Sequence, residues 1–397
     1  MPETVILVGG YGLPDLTASA TRAVGMARLY RSIGLDPIIM GKISAGEPPP
    51  SGPTETVVDG IRCIDVRRPM PGQSFGRYDV SSDSVAAVVA AIGVRNIRAV
   101  ILYNHPAIGA FRILQAMKRL KVPVVIEMAD FYGWEGSKVL RNLYRLFESV
   151  LKKDVICRLA DNAIGVSDWS VARLPARNTA KLTWVVDATA ARWTPVPPRL
   201  ARSDGRRRFL YAGSPGLGMV KDRLPVAMEG FDRLATSGVG FEFRVVGITR
   251  DQYLADRPDH APLLDRLGDS LTFLGRIPHA KALGELRSTD YSLFFRRNDR
   301  IANTGFPTKY VEAASLGIPV VTNPTSDIAL YLTDGQNGFL APDLSAPAIA
   351  ETLRRAATLD DAALLDMKAV CAASNPFDIP HWQAPARAFL EHLRPVR

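Results

Sequence analysis

Cysteine is scarce in this sequence of 397 residues, which contains only Cys63, Cys157 and Cys371. The three are odd in number, far apart and outside any metal-ligand spacing. This pattern excludes a disulfide framework and the usual structural zinc sites, and it favours a reducing compartment. We therefore expect a cytoplasmic protein without a bound metal or other cofactor.

Long apolar runs are also lacking. The longest stretches, such as residues 85–94, reach roughly half of the ~20 residues that a membrane-spanning helix needs. Residues 1–8 have neither the basic region nor the long apolar region of a signal peptide. The sequence thus predicts a soluble protein, or one that is at most peripheral to a membrane.

The sequence has no low-complexity tract, and its basic residues are scattered without interleaved aromatic residues. Nucleic-acid binding is therefore disfavoured, because a stacking surface uses such aromatic residues. Lys and Arg number 49 against 40 Asp and Glu, a net charge of +9. A basic surplus suits an anionic partner such as a nucleotide diphosphate or an anionic membrane face.

Short β-rich runs alternate with amphipathic stretches along the chain, a pattern typical of parallel βαβ units. Strands are predicted at 4–8, 36–40, 61–66, 99–103, 122–127 and 162–166, and helices at 17–33, 82–93, 107–120 and 137–153. The pattern then restarts with strands at 207–212, 241–246, 270–274, 291–295 and 318–322. Both halves open with a strand that ends in a glycine turn ahead of a helix, which predicts an α/β protein of two Rossmann-like domains.

The predicted domain boundaries follow from composition. An N-terminal domain over 1–193 is followed by a proline-rich linker over 194–206. A C-terminal domain then covers 207–376. The remaining residues, 377–397, contain an amphipathic helix with no strand after it, and this helix could cross back to the N-terminal domain.

Residues 304–323 predict a loop, a helix, a glycine stop and a buried strand. Gly305 and Pro307 shape the loop, and Thr308 is the candidate N-cap. Gly317 suits a left-handed position after the helix. A helix N-terminus that follows a glycine loop is a ready site for an anion.

This segment resembles the donor-site helix of retaining GT-B glycosyltransferases of the family 4-like group. That group carries two Glu eight positions apart, with Gly and a Phe-like residue after the first and Gly-x-Pro-Val after the second. The residues in register here are Gly305, Phe306, Glu312, Gly317, Pro319 and Val320. Thr304 occupies the position of the first Glu, which in the family contacts the transferred sugar, so retention or inversion of configuration stays open.

The resemblance implies two Rossmann-like domains facing across a cleft and a nucleotide-sugar donor. Glu312 would accept hydrogen bonds from the ribose hydroxyls. The string Phe-Pro-Thr-Lys-x-x-Glu also resembles a subset of bacterial surface-polysaccharide transferases, in which Lys309 would face the diphosphate. A carbohydrate or lipid-linked acceptor follows from the same resemblance.

A second match lies in the turn after strand 207–212. Family members carry Gly-Arg here and then Lys-Gly, with the two basic residues clamping the donor phosphates; Lys221 fits the second basic position and Ser214 replaces the Arg. Gly213 and Gly216 shape this turn. Two arginines that follow strand 291–295 could complete the clamp, namely Arg296 and Arg297.

The turn containing Arg276 and Ile277 resembles the Gly-x-Val turn that holds the base against the backbone.

In the N-terminal half, Gly10, Tyr11 and Gly12 follow the first strand and could approach a pyrophosphate or the acceptor. The full Gly-x-Gly-x-x-Gly spacing is missing, and no acidic residue closes strand 36–40. Both absences disfavour a nicotinamide dehydrogenase.

His105 and Asp130 follow two predicted strands, at the carboxyl ends that would face the cleft. Either could orient the acceptor hydroxyl or take its proton. The alternatives are a helix cap for His105, and an N-cap or loop turn for Asp130. An inverting reaction would need a base such as Asp130, whereas a retaining front-face reaction would need little from a base.

The helix predicted around 138–153 has an apolar stripe and several basic residues. The stripe consists of Val139, Leu143, Phe147 and Val150. We expect it to pack on the sheet, and contact of this helix with anionic lipid remains the alternative.

Three functions therefore remain open. The first is a metal-independent glycosyltransferase in which basic side chains and a helix dipole neutralise the phosphates. The second is another enzyme of two Rossmann-like domains, such as a nucleotide-sugar epimerase. The third is a non-catalytic, transferase-like subunit, which the threonine at 304 would favour.

Overall fold

A computed structural model describes residues 2–13, 17–41, 54–66, 80–129, 139–219 and 221–397. The chain divides into two compact units. The first consists of Met1–Asp187, Asn303–Phe306 and Phe377–Arg397, and the second of Ala188–Ala302 and Pro307–Pro376. The segment predicted as a linker, 194–206, therefore lies within the second unit, and the C-terminal segment lies within the first.

The strands form one sheet in each unit. In chain order they are β1 Thr4–Gly9, β2 Asp36–Gly41, β3 Thr54–Val58, β4 Ile61–Asp65, β5 Ile97–Tyr103, β6 Val124–Met128, β7 Asn162–Gly165, β8 Asn178–Lys181, β9 Arg207–Ala212, β10 Phe241–Val246, β11 Leu271–Gly275, β12 Tyr291–Leu293, β13 Val320–Thr322 and β14 Gly338–Leu340. The first sheet has the order β3-β4-β2-β1-β5-β6-β7-β8 and the second β11-β10-β9-β12-β13-β14. Neighbouring strands are parallel except for β3, which is antiparallel to β4.

The helices cover the two sheets. In chain order they are α1 Ala18–Ser32, α2 Ser82–Ile92, α3 Ala107–Leu120, α4 Val139–Val150, α5 Cys157–Ala160, α6 Asp168–Val171, α7 Leu224–Thr236, α8 Arg250–Asp256, α9 Ala261–Leu267, α10 His279–Arg287, α11 Arg300–Thr304, α12 Thr308–Ser315, α13 Ala346–Ala357, α14 Asp361–Ala373 and α15 Ile379–Glu391. A π-helical turn, Leu151–Ile156, joins α4 to α5. In the described part of the chain, every helix is too short or too polar to cross a bilayer.

Each face of the first sheet carries its own apolar layer. Val5 and Leu7 of β1 enter the layer that contains α1 and α15, whereas Ile6 and Val8 enter the layer that contains α2 and α3. Side chains alternate between faces along a strand, so a sheet covered on both faces needs continuous apolar strands. This explains why the central strands could be recognised in the sequence as unbroken apolar runs. The prediction of an α/β protein with two Rossmann-like domains is confirmed.

Three strands were not predicted, namely β3, β8 and β14. All three lie at sheet edges, where a strand is short or partly exposed and lacks an apolar run. The predicted strand 318–322 begins only at Val320. Cys63, Cys157 and Cys371 are free and buried.

The expectation for the apolar stripe of α4 was wrong. Val139, Leu143, Phe147 and Val150 are exposed. Among the described side chains of this helix, the buried ones are instead polar, namely Asn142, Glu148 and Ser149. The sequence pattern located the apolar side of the helix but could not tell whether that side faces inward.

Gly25 provides a test of packing in the first unit. A Cβ atom at this position of α1 would overlap the carbonyl group of Val185. Ala is favoured over Gly in a helix by about 1 kcal/mol, yet overpacking of this kind costs about 1–3 kcal/mol. We expect Gly25→Ala to lower the free energy of unfolding of the first unit, measured in urea.

Gly284 of α10 is the matched control. Among the described residues, nothing lies within 4 Å of a Cβ atom built at Gly284. Gly284→Ala should therefore raise the stability of the second unit by up to about 1 kcal/mol. A stabilising Gly25→Ala would contradict the close approach of α1 to Val185.

Candidate functional site

Glycines line the carboxyl-terminal edge of the second sheet, where β9, β10 and β11 end. The N–H of Gly213 donates to the carbonyl of Val246 (3.0 Å), and the N–H of Gly247 donates to the carbonyl of Gly275 (2.7 Å). Gly213 has a φ of 139°, and a Cβ atom there would lie 2.7 Å from Cε of Lys309. Only glycine lets Lys309 pass this close, at the edge where open parallel sheets bind ligands.

A buried carboxylate collects three side chains at this edge. Asp222 accepts hydrogen bonds from Nζ of Lys309 (2.6 Å) and Nε of Arg296 (2.9 Å). The hydroxyl of Tyr211 donates to the same carboxylate at 3.0 Å, and Nζ of Lys309 lies 5.1 Å from the centre of the Tyr211 ring. Asp222 is fully buried, and both cations keep only a small exposed fraction.

Burial would raise the pKa of Asp222, but the charges and hydrogen bonds of Lys309 and Arg296 hold it well below its usual range. Burial, and then the negative charge of Asp222, raise the pKa of Tyr211. Asp222 is therefore ionised at neutral pH and Tyr211 is a neutral donor. The carboxylate fixes the positions of the two cations relative to each other.

More positive charge surrounds this group than Asp222 can balance. The N–H of Arg223 donates to the carbonyl of Phe295 (2.7 Å), which brings Arg223 beside the chain that carries Arg297. Burial, and then the charges of Arg297 and Arg257, lower the pKa of Arg223. Among the described residues, Nε of Arg223 is buried without a hydrogen-bond partner. Such a surplus of cations suits an anionic ligand.

The predicted diphosphate clamp residues lie partly in this region. Arg296 is buried in the ion pair with Asp222, whereas Arg297, Lys221 and Ser214 are exposed. The hydroxyl of Ser214 accepts a hydrogen bond from the N–H of Gly216 at 3.3 Å, which closes the turn. The structure therefore brings one predicted arginine into direct contact with the group that holds Lys309.

Helix α12 begins at Thr308, and its N-cap residue is Pro307. The prediction of Thr308 as the N-cap was therefore wrong by one residue. Within the described residues, no side chain caps this helix, and the first backbone N–H groups of an uncapped helix attract anions. Gly317 has a φ of 73° after the helix, as predicted.

Glu312 and His279 form a contact on the same side of the second unit. Nε2 of His279 lies 3.1 Å from Oε1 of Glu312, and both side chains are partly exposed. His279 begins α10 directly after the turn that contains exposed Arg276 and half-buried Ile277. The carboxylate predicted to bind ribose thus lies next to the turn predicted to hold the base.

The other end of the predicted donor segment belongs to the first unit. Thr304 is fully buried, and the hydroxyl of Ser167 donates to its carbonyl at 3.0 Å. Gly305 is half-buried, and the buried ring of Phe306 lies 5.5 Å from that of Phe377. The segment that looked continuous in the sequence therefore contributes to both units.

The glycine turn of the first unit is less open than the sequence suggested. Tyr11, predicted to contact an acceptor or a phosphate, has its side chain in the core against Gly9 and Tyr103. Burial, and then the charge of nearby Glu127, raise its pKa well above the usual value. Gly12 is also buried, and only Gly10 of the three predicted residues is exposed. The assignment of Gly10, Tyr11 and Gly12 to a phosphate or acceptor loop stays a prediction, and it would now depend on the backbone of the turn and not on the Tyr11 ring.

The two predicted catalytic residues stay predictions. His105 is buried, with Nε2 3.3 Å from the carbonyl of Val80 and Nδ1 3.2 Å from that of Pro106. The N-cap of α3 is Pro106, so the alternative of a helix cap at His105 does not hold. Asp130 lies outside the described residues.

Several residues at the site were not found from the sequence. These residues are Asp222, Arg223, His279 and Asn323. The side chain of Asn323 accepts a hydrogen bond from the backbone N–H of Arg296 (2.9 Å) and donates one to the backbone carbonyl of Arg296 (2.8 Å). The position of His279 at a helix start after a glycine turn was a usable signal. Asp222 gave none, because its two cationic partners lie 74 and 87 positions away.

The two sheets and their helices define the class of fold. Solved structures of glycosyltransferases with the GT-B fold are similar over nearly the whole chain. HepE of Anabaena in complex with UDP and glucose has a TM-score of 0.67 and 13% identity, covering 98% of this chain and 100% of HepE. Sucrose-phosphate synthase from Thermosynechococcus elongatus has a TM-score of 0.68 and 15% identity, covering 98% of each chain. The catalytic domain of starch synthase IV from Arabidopsis thaliana, bound to ADP and acarbose, has a TM-score of 0.70 and 11% identity, covering 98% of this chain and 99% of that one.

These similarities show that the fold of the chain is GT-B. Residues 206–358 also match the model of a family described as Glycosyl transferases group 1. The match includes Asp222, Lys309 and Glu312. A comparison with curated protein sequences gave no significant match.

The ion pairs of Asp222 lead to a prediction on stability. Asp222→Asn keeps the shape of the side chain but leaves two largely buried cations without a counter-charge, which should cost about 3–5 kcal/mol. Tyr211→Phe is the control, because it removes one hydrogen bond worth about 1 kcal/mol. Urea unfolding of the second unit would measure both changes.

The contribution of the Asp222 carboxylate to the free energy of unfolding should fall as the pH is lowered. The pKa of Asp222 is lower in the folded protein than in the unfolded chain. Its contribution is therefore fully present above about pH 4, the unfolded value, and is lost as the pH falls through the folded value. The stability difference between the wild type and Asp222→Asn should shrink below about pH 4, and a difference that grows on acidification would contradict the assignment.

Proposed function

We propose that this chain is a glycosyltransferase that moves a sugar from a nucleotide-sugar donor to a carbohydrate or lipid-linked acceptor, in polysaccharide or glycoconjugate synthesis. The observation that carries the proposal is the group formed by Lys309, Arg296 and Asp222 at the glycine edge of the second sheet. The family match over residues 206–358 and the GT-B fold support the same function.

The donor would bind along this edge. Its diphosphate would face Lys309, Arg296 and Lys221 together with the first turn of α12, since these groups provide positive charge and free N–H donors. Glu312 would accept hydrogen bonds from the two ribose hydroxyls. The neighbouring His279 would orient the Glu312 carboxylate, and the turn 275–277 would hold the base.

Catalysis would consist mainly of stabilising the leaving group. The bond between the anomeric carbon and the diphosphate oxygen breaks, and a bond to the acceptor oxygen forms. Charge that develops on the diphosphate would be neutralised by Lys309, Arg296 and the α12 N-terminus, which is the role that a divalent cation has in other enzymes. We therefore propose metal-independent transfer. In the described part of the chain, no three His, Cys, Asp or Glu side chains form a metal-binding group.

We propose retention of configuration, as in the resembled family. In a front-face reaction, the departing phosphate oxygen takes the proton of the acceptor hydroxyl, so no protein base is required. Thr304 in place of the first glutamate favours one competing function, a transferase-like subunit without activity. An active transferase consumes the donor sugar, whereas an inactive subunit does not.

Donor binding is tested by thermal shift with UDP-, GDP- and ADP-sugars. One nucleotide class should raise the melting temperature, and Glu312→Gln should weaken its binding about 10–100-fold, because a hydrogen bond to a charged group contributes about 1.5–3 kcal/mol. Glu285→Gln is the matched control, since Glu285 pairs with Arg244 on the same unit. The absence of stabilisation by any nucleotide sugar would contradict the donor site, whereas an unaffected Glu312→Gln would contradict only the ribose assignment.

Product analysis separates the remaining functions. The stabilising donor is incubated with the protein and candidate glycan or lipid-linked acceptors, and NMR spectroscopy identifies the products. A glycoside with the anomeric configuration of the donor supports a retaining transferase. An epimerised donor indicates an epimerase, and an unconsumed donor that still binds indicates a non-catalytic subunit.

A further inference from the structure

Helix α4 exposes its apolar side. Leu140 is 84% exposed and Phe147 is 58% exposed. Leu143 and Tyr144 are also exposed, and the spacing of these four residues forms one stripe along the helix. A stripe of this kind usually covers a core, so its exposure needs a physical reason.

The reason lies on the opposite, polar side of α4. Oε2 of the buried Glu148 accepts a hydrogen bond from the N–H of Ala107 (3.0 Å), the first residue of α3. Asn142 and Ser149 are buried on the same helix. Turning the apolar stripe inward would break the bond at Ala107 and expose these groups, so polar contacts hold the stripe outward.

Helix α3 adds to the apolar surface. Ile108 and Phe111 are exposed in its first turns, directly after the residue that Glu148 contacts. Val150 and Val155 are exposed at the far end of α4 and in the π-helical turn that follows. We call these exposed side chains of 108–111 and 139–155 the apolar surface. Large apolar patches on a folded protein mark interaction sites.

The charge around this surface is strongly positive. Residues 107–121 and 139–160 contain nine Lys and Arg residues, of which Lys152 is buried, but only two acidic ones, Glu148 and Asp154. Glu148 is buried, and Asp154 pairs with Lys153 at 3.0 Å. Arg112 and Arg158 are exposed. A second copy of the chain would bring like charges together here, whereas an anionic lipid surface complements both the charge and the apolar side chains.

We propose that the apolar surface docks the protein on an anionic lipid bilayer. Helix α4 would lie in the plane of the interface, with its apolar stripe at the boundary between headgroups and acyl chains and the basic side chains near the anionic headgroups. Binding to the bilayer needs no donor and no transfer, so it is independent of the proposed enzymatic function.

The test is co-sedimentation of the full-length protein with vesicles. Binding should be strong to mixed phosphatidylcholine and phosphatidylglycerol, weak to phosphatidylcholine alone, and weakened by salt. The triple variant Leu140→Gln, Leu143→Gln, Phe147→Gln should lower the partition coefficient at least ~10-fold. Because these side chains are exposed, the variant should keep the wild-type melting temperature and the wild-type response to nucleotide sugars.

The matched control changes exposed apolar residues of the second unit. Leu330→Gln with Val370→Gln removes side chains of similar exposure and should leave vesicle binding unchanged. A third variant, Arg112→Gln with Arg158→Gln, should weaken binding to anionic vesicles without changing binding to phosphatidylcholine.

A direct readout comes from Leu140→Cys carrying a polarity-sensitive dye. The three native cysteines are buried, so labelling is selective for position 140. The dye emission should shift to the blue with anionic vesicles. Equal binding by the triple variant and the wild type, or no binding to any vesicle, would overturn the proposal. A dimer that the triple variant dissociates, in a protein that does not bind vesicles, would assign the surface to a second copy instead.

Discussion

One buried carboxylate organises the candidate donor site. Asp222 follows the glycine turn after β9, Arg296 follows β12, and Lys309 lies in the first turn of α12. Two cations this close would repel each other without a counter-charge, and removal of one partner from a buried ion pair is strongly destabilising. The three elements can therefore present their positive charge at one edge of the sheet only because Asp222 lies between them.

The glycines of this edge follow from the same constraint. Lys309 reaches Asp222 across Gly213, where any Cβ atom would block its side chain. A Cβ atom at Gly247 would in turn overlap the carbonyl of Gly213. The backbone of both turns is thereby left open beside a cluster of cations, which is the arrangement that a diphosphate requires. The ion pairs of Asp222 and the glycine turns depend on each other, so a substitution in one would disturb the other.

How much could be read from the sequence depends on the range of the interactions. Most strands, and the helix that ends just before Gly317, were predictable, because local periodicity and turn chemistry determine them. The role of Asp222 was not, because its two cationic partners are 74 and 87 positions away. The expectation for α4 failed for a related reason: a pattern shows which side of a segment is apolar, whereas tertiary contacts such as that of Glu148 with Ala107 decide which side is buried.

The net charge of +9 predicted an anionic partner but could not choose between a nucleotide diphosphate and a membrane. The structure divides the positive charge between the two units. In the second unit the cations surround a buried carboxylate at a sheet edge, a geometry that suits a small, multiply charged group. In the first unit they border exposed apolar side chains and their acidic neighbours are buried or paired. A diphosphate offers no apolar area to cover such side chains, and a bilayer cannot enter a turn lined by glycine backbone. The two anionic partners therefore fit different surfaces and need not compete.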